Sequence, residues 1–246
     1  MNRFFLSPSA IHGQEIQFPV DIAHQIRRVL RLREEDCVLV LDNTGMAYKV
    51  SLQFLGDRDV QGKILNKIPM DSEPTIQLSL YIGLTQREKF EWILQKGTEV
   101  GVSRFVPFTS ERSLIQKNEI AEKKGQRWQK IIQEAAEQSH RGRIPMLETA
   151  LSFNAAVEQA VADHETCLIP WEEEQALSLR SVLTQANSVT RIALMIGPEG
   201  GFSPAEVQLA KECGMFPVTL GKRILRMETA AVAAAAMIMY HLGQME

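Results

Sequence analysis

Arg191-Ile192-Ala193-Leu194-Met195-Ile196-Gly197-Pro198-Glu199-Gly200-Gly201-Phe202-Ser203-Pro204-Ala205-Glu206 is the stretch on which the fold turns. An apolar run long enough for one buried strand enters a turn that holds three glycines and one acid. Ser203 then stands as a helix N-cap, with Pro204 in the first helical position and Glu206 placed to close a capping box. Glycine leaves this backbone free to take positive φ and to lie close against a ligand. The turn has no G-x-G-x-x-G and no Gly-Lys-Ser/Thr, so neither a dinucleotide fold nor a nucleotide-phosphate loop is indicated. Taken alone, it is also compatible with a tight turn that binds nothing.

One helix and one strand later comes a second glycine turn, Leu220-Gly221-Lys222-Arg223-Ile224-Leu225-Arg226-Met227-Glu228-Thr229-Ala230. In open α/β sheets ligands bind beyond the carboxyl ends of the strands, and both turns belong there. The two turns are expected to line one pocket.

Working outward, Ile76 to Gly83, Arg104 to Pro107, Cys167 to Pro170, Ile192 to Ile196 and Val218 to Leu220 read as strands. They alternate with helices over Lys89 to Val100, Lys124 to Ser139, Pro204 to Cys213 and Thr229 to Leu242. That alternation predicts an α/β fold, a mostly parallel sheet with helices on both faces. The final helix, with its run Ala230 to Met239, is apolar all round but far shorter than the roughly 20 residues of a membrane span. It reads as a buried helix that packs within one monomer or against a second copy.

Before Ile68 the character differs. A short helix, Asp21 to Leu30, carries arginine on one face, and Cys37 to Leu41, Ala47 to Phe54 and Asp59 to Leu65 alternate with the turns Asp42-Asn43-Thr44-Gly45 and Gly56-Asp57. Short strands and tight turns predict a small β-barrel. The proline-containing stretch Ile68 to Pro74 marks the boundary, giving domains 1–72 and 73–246.

The chain has 246 residues, 45% hydrophobic and 23% charged, with a net charge of −3. That bounds a folded protein of one or two domains and argues against one that coats nucleic acid globally. Charge is nonetheless uneven: Arg3, Arg27, Arg28, Arg31 and Arg33 gather near the start against Glu15 and Asp21. Cys37, Cys167 and Cys213 are widely spaced and form no CxxC pair, so neither a disulfide framework nor a zinc site follows. No export or transit segment is apparent, and a cytoplasmic protein without a membrane anchor or a metal is expected.

The pair Ile196-Gly197-Pro198-Glu199-Gly200-Gly201 and Leu220 to Ala230 resembles the closing signature of the RsmE family, within the SPOUT class of methyltransferases. Gln95-Lys96-Gly97-Thr98-Glu99-Val100-Gly101-Val102, Thr109-Ser110-Glu111-Arg112-Ser113 and Glu137-Gln138-Ser139-His140-Arg141-Gly142-Arg143-Ile144-Pro145 support it. The resemblance implies a trefoil knot in the C-terminal domain, a PUA-like N-terminal barrel, a homodimer, and methylation of N3 of one uridine near the 3′ end of 16S rRNA, in the assembled 30S subunit. It implies S-adenosylmethionine held by Leu84, Ile196, Gly197, Pro198, Gly200, Gly201, Leu220, Gly221, Ile224, Leu225, Thr229 and Ala230. Met227 stands where the family often has a small or hydroxylated residue, and Asn154 to Ser188 offers little to match.

Methylating N3 requires that nitrogen to lose its proton, so the anion must be favoured. Arg226, in the second turn, is the candidate, since a guanidinium stays charged and offers several donors to the base carbonyls; the alternative is that it braces the turns by pairing with Glu228 or Glu199. Glu199 either takes the N3 proton or holds Arg226. Arg3, Arg27, Arg28, Arg31 and Arg33, with Arg141 and Arg143, are assigned to RNA phosphates, the alternative being a solvated charged face. A non-catalytic ribosome-assembly factor, or a methyltransferase acting on another base or a ribose, are the rival functions.

Overall fold

The computed structural model describes residues 1–56, 59–113, 122–186 and 189–245. Asp57, expected in a turn with Gly56, lies outside the described residues. The chain separates into two compact units, Met1–Glu73 with Ala136–Ile144, and Pro74–Ala135 with Pro145–Glu246. Residues 136–144 thus belong with the N-terminal unit, although they follow the proline boundary by some sixty residues.

In the first unit β1 (Arg3–Phe5), β2 (Ile11–His12), β3 (Glu15–Gln17), β4 (Cys37–Leu41), β5 (Met46–Phe54) and β6 (Val60–Pro69) form one sheet, in the order β1-β4-β5-β6-β3-β2. Only β1 and β4 pair in parallel; the other pairs are antiparallel, and the mixed, curled sheet fits a small barrel. Phe4, Ile16, Phe18, Ile26, Val38, Val50 and Val60 fill its core. The turn between β4 and β5 closes because Asp42 Oδ1 accepts from the Thr44 backbone N–H at 2.9 Å and its hydroxyl at 2.7 Å, with Asn43 and Gly45 at positive φ. The helix expected over Asp21 to Leu30 is regular only at α1 (Val20–His24). It widens into π-helical turns over Gln25–Val29, where the Leu30 N–H bonds the Gln25 carbonyl at 2.9 Å.

The second unit is an α/β layer structure. Its elements are β7 (Gln77–Gly83), α2 (Arg87–Val100), β8 (Arg104–Thr109), α3 (Glu122–Gln138, whose last turn falls in the first unit), β9 (Met146–Leu147), β10 (Leu151–Ser152), α4 (Phe153–Asp163), β11 (Thr166–Pro170), α5 (Leu179–Gln185), β12 (Arg191–Ile196), α6 (Pro204–Glu212), β13 (Phe216–Val218) and α7 (Met227–His241). The sheet runs β10-β8-β7-β12-β11-β13 with β9 also on β8, and every pairing is parallel. Such strands are sealed on both faces, which is why β12 reads as an unbroken apolar run rather than an alternating one. Tyr81, Val106, Phe108, Ala193 and Met195 pack under α4 and α6 on one face. On the other, α7 lies against α2, β7 and β12.

Two expectations need correction here. Val218 to Leu220 is not all strand: β13 ends at Val218, and Thr219 and Leu220 open the second turn, where the Gly221 N–H bonds Thr219 Oγ1 at 3.1 Å. Nor is α7 buried all round. Ala231, Ala234, Ala235 and Ile238 face inward, but Met237 and Tyr240 are exposed, Tyr240 at 72%. Among the described residues no helix is long and apolar enough to cross a membrane.

Candidate functional site

A cleft of about 480 Å³ opens beyond the carboxyl ends of β11, β12 and β13. Its walls are the two glycine turns, Pro170 to Glu172 at the end of β11, Lys89 from α2, and the first turn of α7. Leaving the same end of the sheet, from the parallel strands on either side of β11, is what brings turns about twenty residues apart in sequence to one opening.

The first turn is fixed from several sides. Gly201 sits at φ +68° with its N–H on the Pro198 carbonyl at 2.9 Å, a conformation that a side chain would strain. Pro198 lies so close to the end of β7 that a Cβ on Gly83 would be 2.6 Å from its nitrogen. Arg112 NH1 donates to the Gly200 carbonyl at 3.0 Å, and Glu206 Oε1 accepts from the Glu111 backbone N–H at 2.9 Å. The segment Thr109 to Ser113 is therefore a brace for the turn. The capping box is complete: Glu206 N–H bonds Ser203 Oγ at 3.3 Å, and Ser203 N–H bonds Glu206 Oε2 at 2.9 Å.

The acids of the cleft differ sharply. Glu199 Oε1 accepts from Lys89 Nζ at 3.2 Å and from the Thr85 hydroxyl. Partial burial opposes its ionisation, but the hydrogen bonds from Thr85, from its own backbone N–H and from Lys89 outweigh that and hold its pKa below the ordinary carboxylate value. Glu228, one residue into α7, leaves Oε2 buried with no hydrogen-bond partner among the described residues. Trp171 Nε1, on a third wall, is likewise buried and unpartnered. Arg226 is exposed at the N-cap of α7 and makes no side-chain hydrogen bond or ion pair among the described residues.

Of the expected cofactor residues, Ile196, Gly197, Pro198, Gly200, Gly201, Leu220, Gly221, Ile224, Leu225 and Ala230 line the cleft, together with Glu199 and Arg226. Leu84 and Thr229 do not: Leu84 is a core residue whose N–H bonds the Phe108 carbonyl at 2.7 Å, and Thr229 is exposed on α7 outside the lining. Glu199 does not brace Arg226; Lys89 and Thr85 occupy it instead. Lys89, Trp171 and Glu172 are among the lining residues that sequence reasoning missed. The signal for Lys89 was available, since the first turn of a helix following a parallel strand lies at the carboxyl end of the sheet.

The arginines of the first unit divide. Arg28, Arg31 and Arg33 are exposed, and Arg143 is exposed with NH2 on the Thr44 carbonyl at 3.1 Å. Arg27 stacks over the Phe54 ring at 4.6 Å and donates to the Gly56 carbonyl, while Arg3 is partly buried with NH1 3.4 Å from the His140 carbonyl. Arg141 is the correction: it is buried, with NH2 2.7 Å and Nε 3.3 Å from the Glu73 carboxylate, which also accepts from the Gly142 N–H at 2.9 Å. A guanidinium so engaged is a structural ion pair, not an open phosphate contact. Among the described residues no cluster of three or more His, Cys, Asp or Glu is placed to hold a metal ion.

Residues 71–239 match the family model of the RNA methyltransferase domain, which covers the sheet and the cleft. The chain is similar to ribosomal RNA small subunit methyltransferase E of Bacillus subtilis, 32% identical across 94% of this chain and 89% of that protein. The protein of the same name from Synechocystis is 34% identical, covering 96% and 76%. The crystal structure of the Neisseria gonorrhoeae protein of that name, bound to S-adenosyl methionine, superposes with a TM-score of 0.88 at 31% identity, across 98% of this chain and 97% of that one. The chain belongs to the ribosomal RNA small subunit methyltransferase E family.

Proposed function

We propose that this protein is an S-adenosylmethionine-dependent methyltransferase that acts on N3 of one uridine near the 3′ end of 16S rRNA, in the small ribosomal subunit. The observation that carries the reading is the cleft itself, which two glycine turns line together and to which Arg226, unpaired among the described residues, contributes.

The residues present fit the cofactor. A volume of about 480 Å³ falls in the range of small-molecule sites. The glycines of the turns, Gly197, Gly200, Gly201 and Gly221, bring backbone to the cleft without side chains of their own, and Trp171 Nε1 is a buried donor lacking an acceptor among the described residues. When bound, S-adenosylmethionine supplies a methyl group on a positively charged sulfur. Ile196, Gly197, Pro198, Gly200, Gly201, Leu220, Gly221, Ile224, Leu225 and Ala230 hold it, largely through backbone and shape.

The protein's own part is to grip the RNA, present the base and stabilise its anion. Arg226 sits where its guanidinium can meet the uracil carbonyls as negative charge develops. Glu199 serves the cleft differently: locked to Lys89 and Thr85, it fixes the first turn. Arg28, Arg31, Arg33 and Arg143 supply exposed charge for phosphates, with Arg3 and Arg27 contributing partly covered guanidiniums. N3 is a Watson–Crick edge atom, so the target base must be unstacked or single-stranded, which favours folded subunit RNA over a short duplex.

The domain division at 72/73, the knot, the homodimer and the cytoplasmic setting belong to the same reading. The chain passes from edge strand β13 back to α7, which packs on central strands β12 and β7, and 219–226 lines the cleft with the first turn on the way, a course compatible with a knot. On the paired helices α2 and α7, Trp92 (42% exposed), Met237 and Tyr240 form apolar surface suited to a second copy.

Incubating the protein with labelled S-adenosylmethionine and unmodified 30S subunits, followed by nucleoside mass spectrometry of the 16S rRNA, tests the proposal. Labelled 3-methyluridine is the expected product. Label in another nucleoside would move the target to a different base or ribose, and absence of label would leave an RNA-binding assembly factor.

A further inference from the structure

Three glutamates line the cleft, Glu172, Glu199 and Glu228, and the surroundings of the two that belong to the glycine turn and the start of α7, Glu199 and Glu228, assign them different tasks. Glu199 is engaged within the protein: one oxygen already takes two donors, one of them cationic, so its affinity for a further proton is weakened. Glu228 is not. Its side chain belongs to the cleft lining, and its Oε2 is buried with no hydrogen-bond partner among the described residues. A carboxylate oxygen in that state carries a desolvation cost that a donor from outside the protein would relieve.

We infer that Glu228 is the group that accepts the N3 proton of the target uracil, an inference that rests on the proposed function and adds to it the identity of the base. The argument is one of placement. Arg226 is the N-cap of α7 and Glu228 the second residue of the helix, and both belong to the lining of the same opening. A uracil edge presents N3–H between two carbonyls. A guanidinium facing a carbonyl and a carboxylate facing N3–H therefore match that edge with complementary groups.

The step balances within the chain and the base. The N3–H bond breaks, its electron pair stays on nitrogen, and the proton passes to Glu228 Oε2. Arg226 lies opposite the charge this leaves on the ring, and the nitrogen pair is then free to take the methyl group. Afterwards the proton leaves Glu228 for water and the carboxylate is restored.

Glu228→Gln, which keeps the shape and removes the basic oxygen, tests this in three measurements. Affinity for S-adenosylhomocysteine by calorimetry and binding to 30S subunits without cofactor are both expected within about threefold of wild type, which also reports that the variant is folded. The single-turnover rate of 3-methyluridine formation near neutral pH is expected to fall about 100-fold or more, the usual contribution of a general base. The pH profile separates chemistry from structure: the variant's rate should rise about tenfold per pH unit as hydroxide replaces the carboxylate, whereas wild type should plateau. Glu228→Asp, retaining a carboxylate, should recover much of the loss.

A Gln variant within about threefold of the wild-type rate, or one with an unchanged pH profile, would overturn the inference. So would a loss of S-adenosylhomocysteine affinity as large as the loss of rate, since Glu228 would then be a cofactor ligand. Failure of the wild-type protein itself to make 3-methyluridine would instead defeat the proposed function, so the two failures are distinguishable.

Discussion

Lys89 Nζ lies 3.2 Å from Glu199 Oε1, joining the first turn of α2 to the glycine-rich turn after β12. Both side chains are about three-quarters covered, so the pair is less screened than a surface ion pair, and the Thr85 hydroxyl completes it. The turn it fixes is one wall of the cleft. Replacing Lys89 by Met is expected to weaken S-adenosylhomocysteine binding about fivefold, the equivalent of about 1 kcal/mol. Thr85→Val should act in the same direction. Calorimetry checks both; affinities within twofold of wild type would mean that Arg112 and the capping box hold the turn without help from Lys89.

Arg141 and the exposed arginines of the first unit should fail in opposite ways. Arg141→Met leaves Glu73 partly buried with one cationic partner fewer, and the cost is expected at about 3 kcal/mol, the low end for breaking a buried pair because Glu73 keeps some contact with water. Urea denaturation monitors it. Reversing Arg28, Arg31 and Arg33 to Glu should leave stability nearly unchanged, since all three are exposed. It should instead weaken binding to 30S subunits and flatten its salt dependence. Unaltered subunit binding by the triple variant would remove these residues from the RNA interface.

The same contrast shows what the sequence could convey. Two glycine turns after apolar runs located the cleft, because a parallel strand must be apolar throughout and a ligand must approach backbone at its carboxyl end. The capping box of Ser203 and Glu206 was legible as a local pattern. Pairings across the chain were not: Arg141 read as a phosphate contact because nothing local announces Glu73, sixty-eight residues away. Thr229 lies between the lining residues Glu228 and Ala230 yet is outside the lining itself, and proximity in sequence cannot separate the two. Helices α4 and α5 went unread, although Ser152 and Ser178 cap them through the Ala155 and Ser181 N–H groups. Both are short, and their apolar residues blur into the neighbouring strands.

His164 makes stability depend on pH in a direction fixed by its contacts. It ends α4, with Nδ1 2.9 Å from the Ala160 carbonyl and Nε2 2.7 Å from Ser79 Oγ, and its ring meets Tyr81 edge-on at 6.0 Å. A carbonyl only accepts, so Nδ1 carries the hydrogen and Nε2 accepts from the Ser79 hydroxyl. Burial lowers its pKa from the ordinary histidine value. The Ala160 carbonyl opposes that shift, Arg104 and Arg191 reinforce it, and Asp163 opposes it. With the folded pKa below the unfolded one, the two states bind protons alike above about pH 6.5, and the unfolded chain binds more below it. His164 therefore costs stability as pH falls through about 6.5, and the loss levels off beneath the folded pKa. Urea midpoints of wild type and His164→Gln, taken from about pH 8 to about pH 5, isolate the effect from the other histidines. The midpoint of wild type relative to the variant should decline across that window; a difference independent of pH would mean that His164 does not gain its proton on unfolding there.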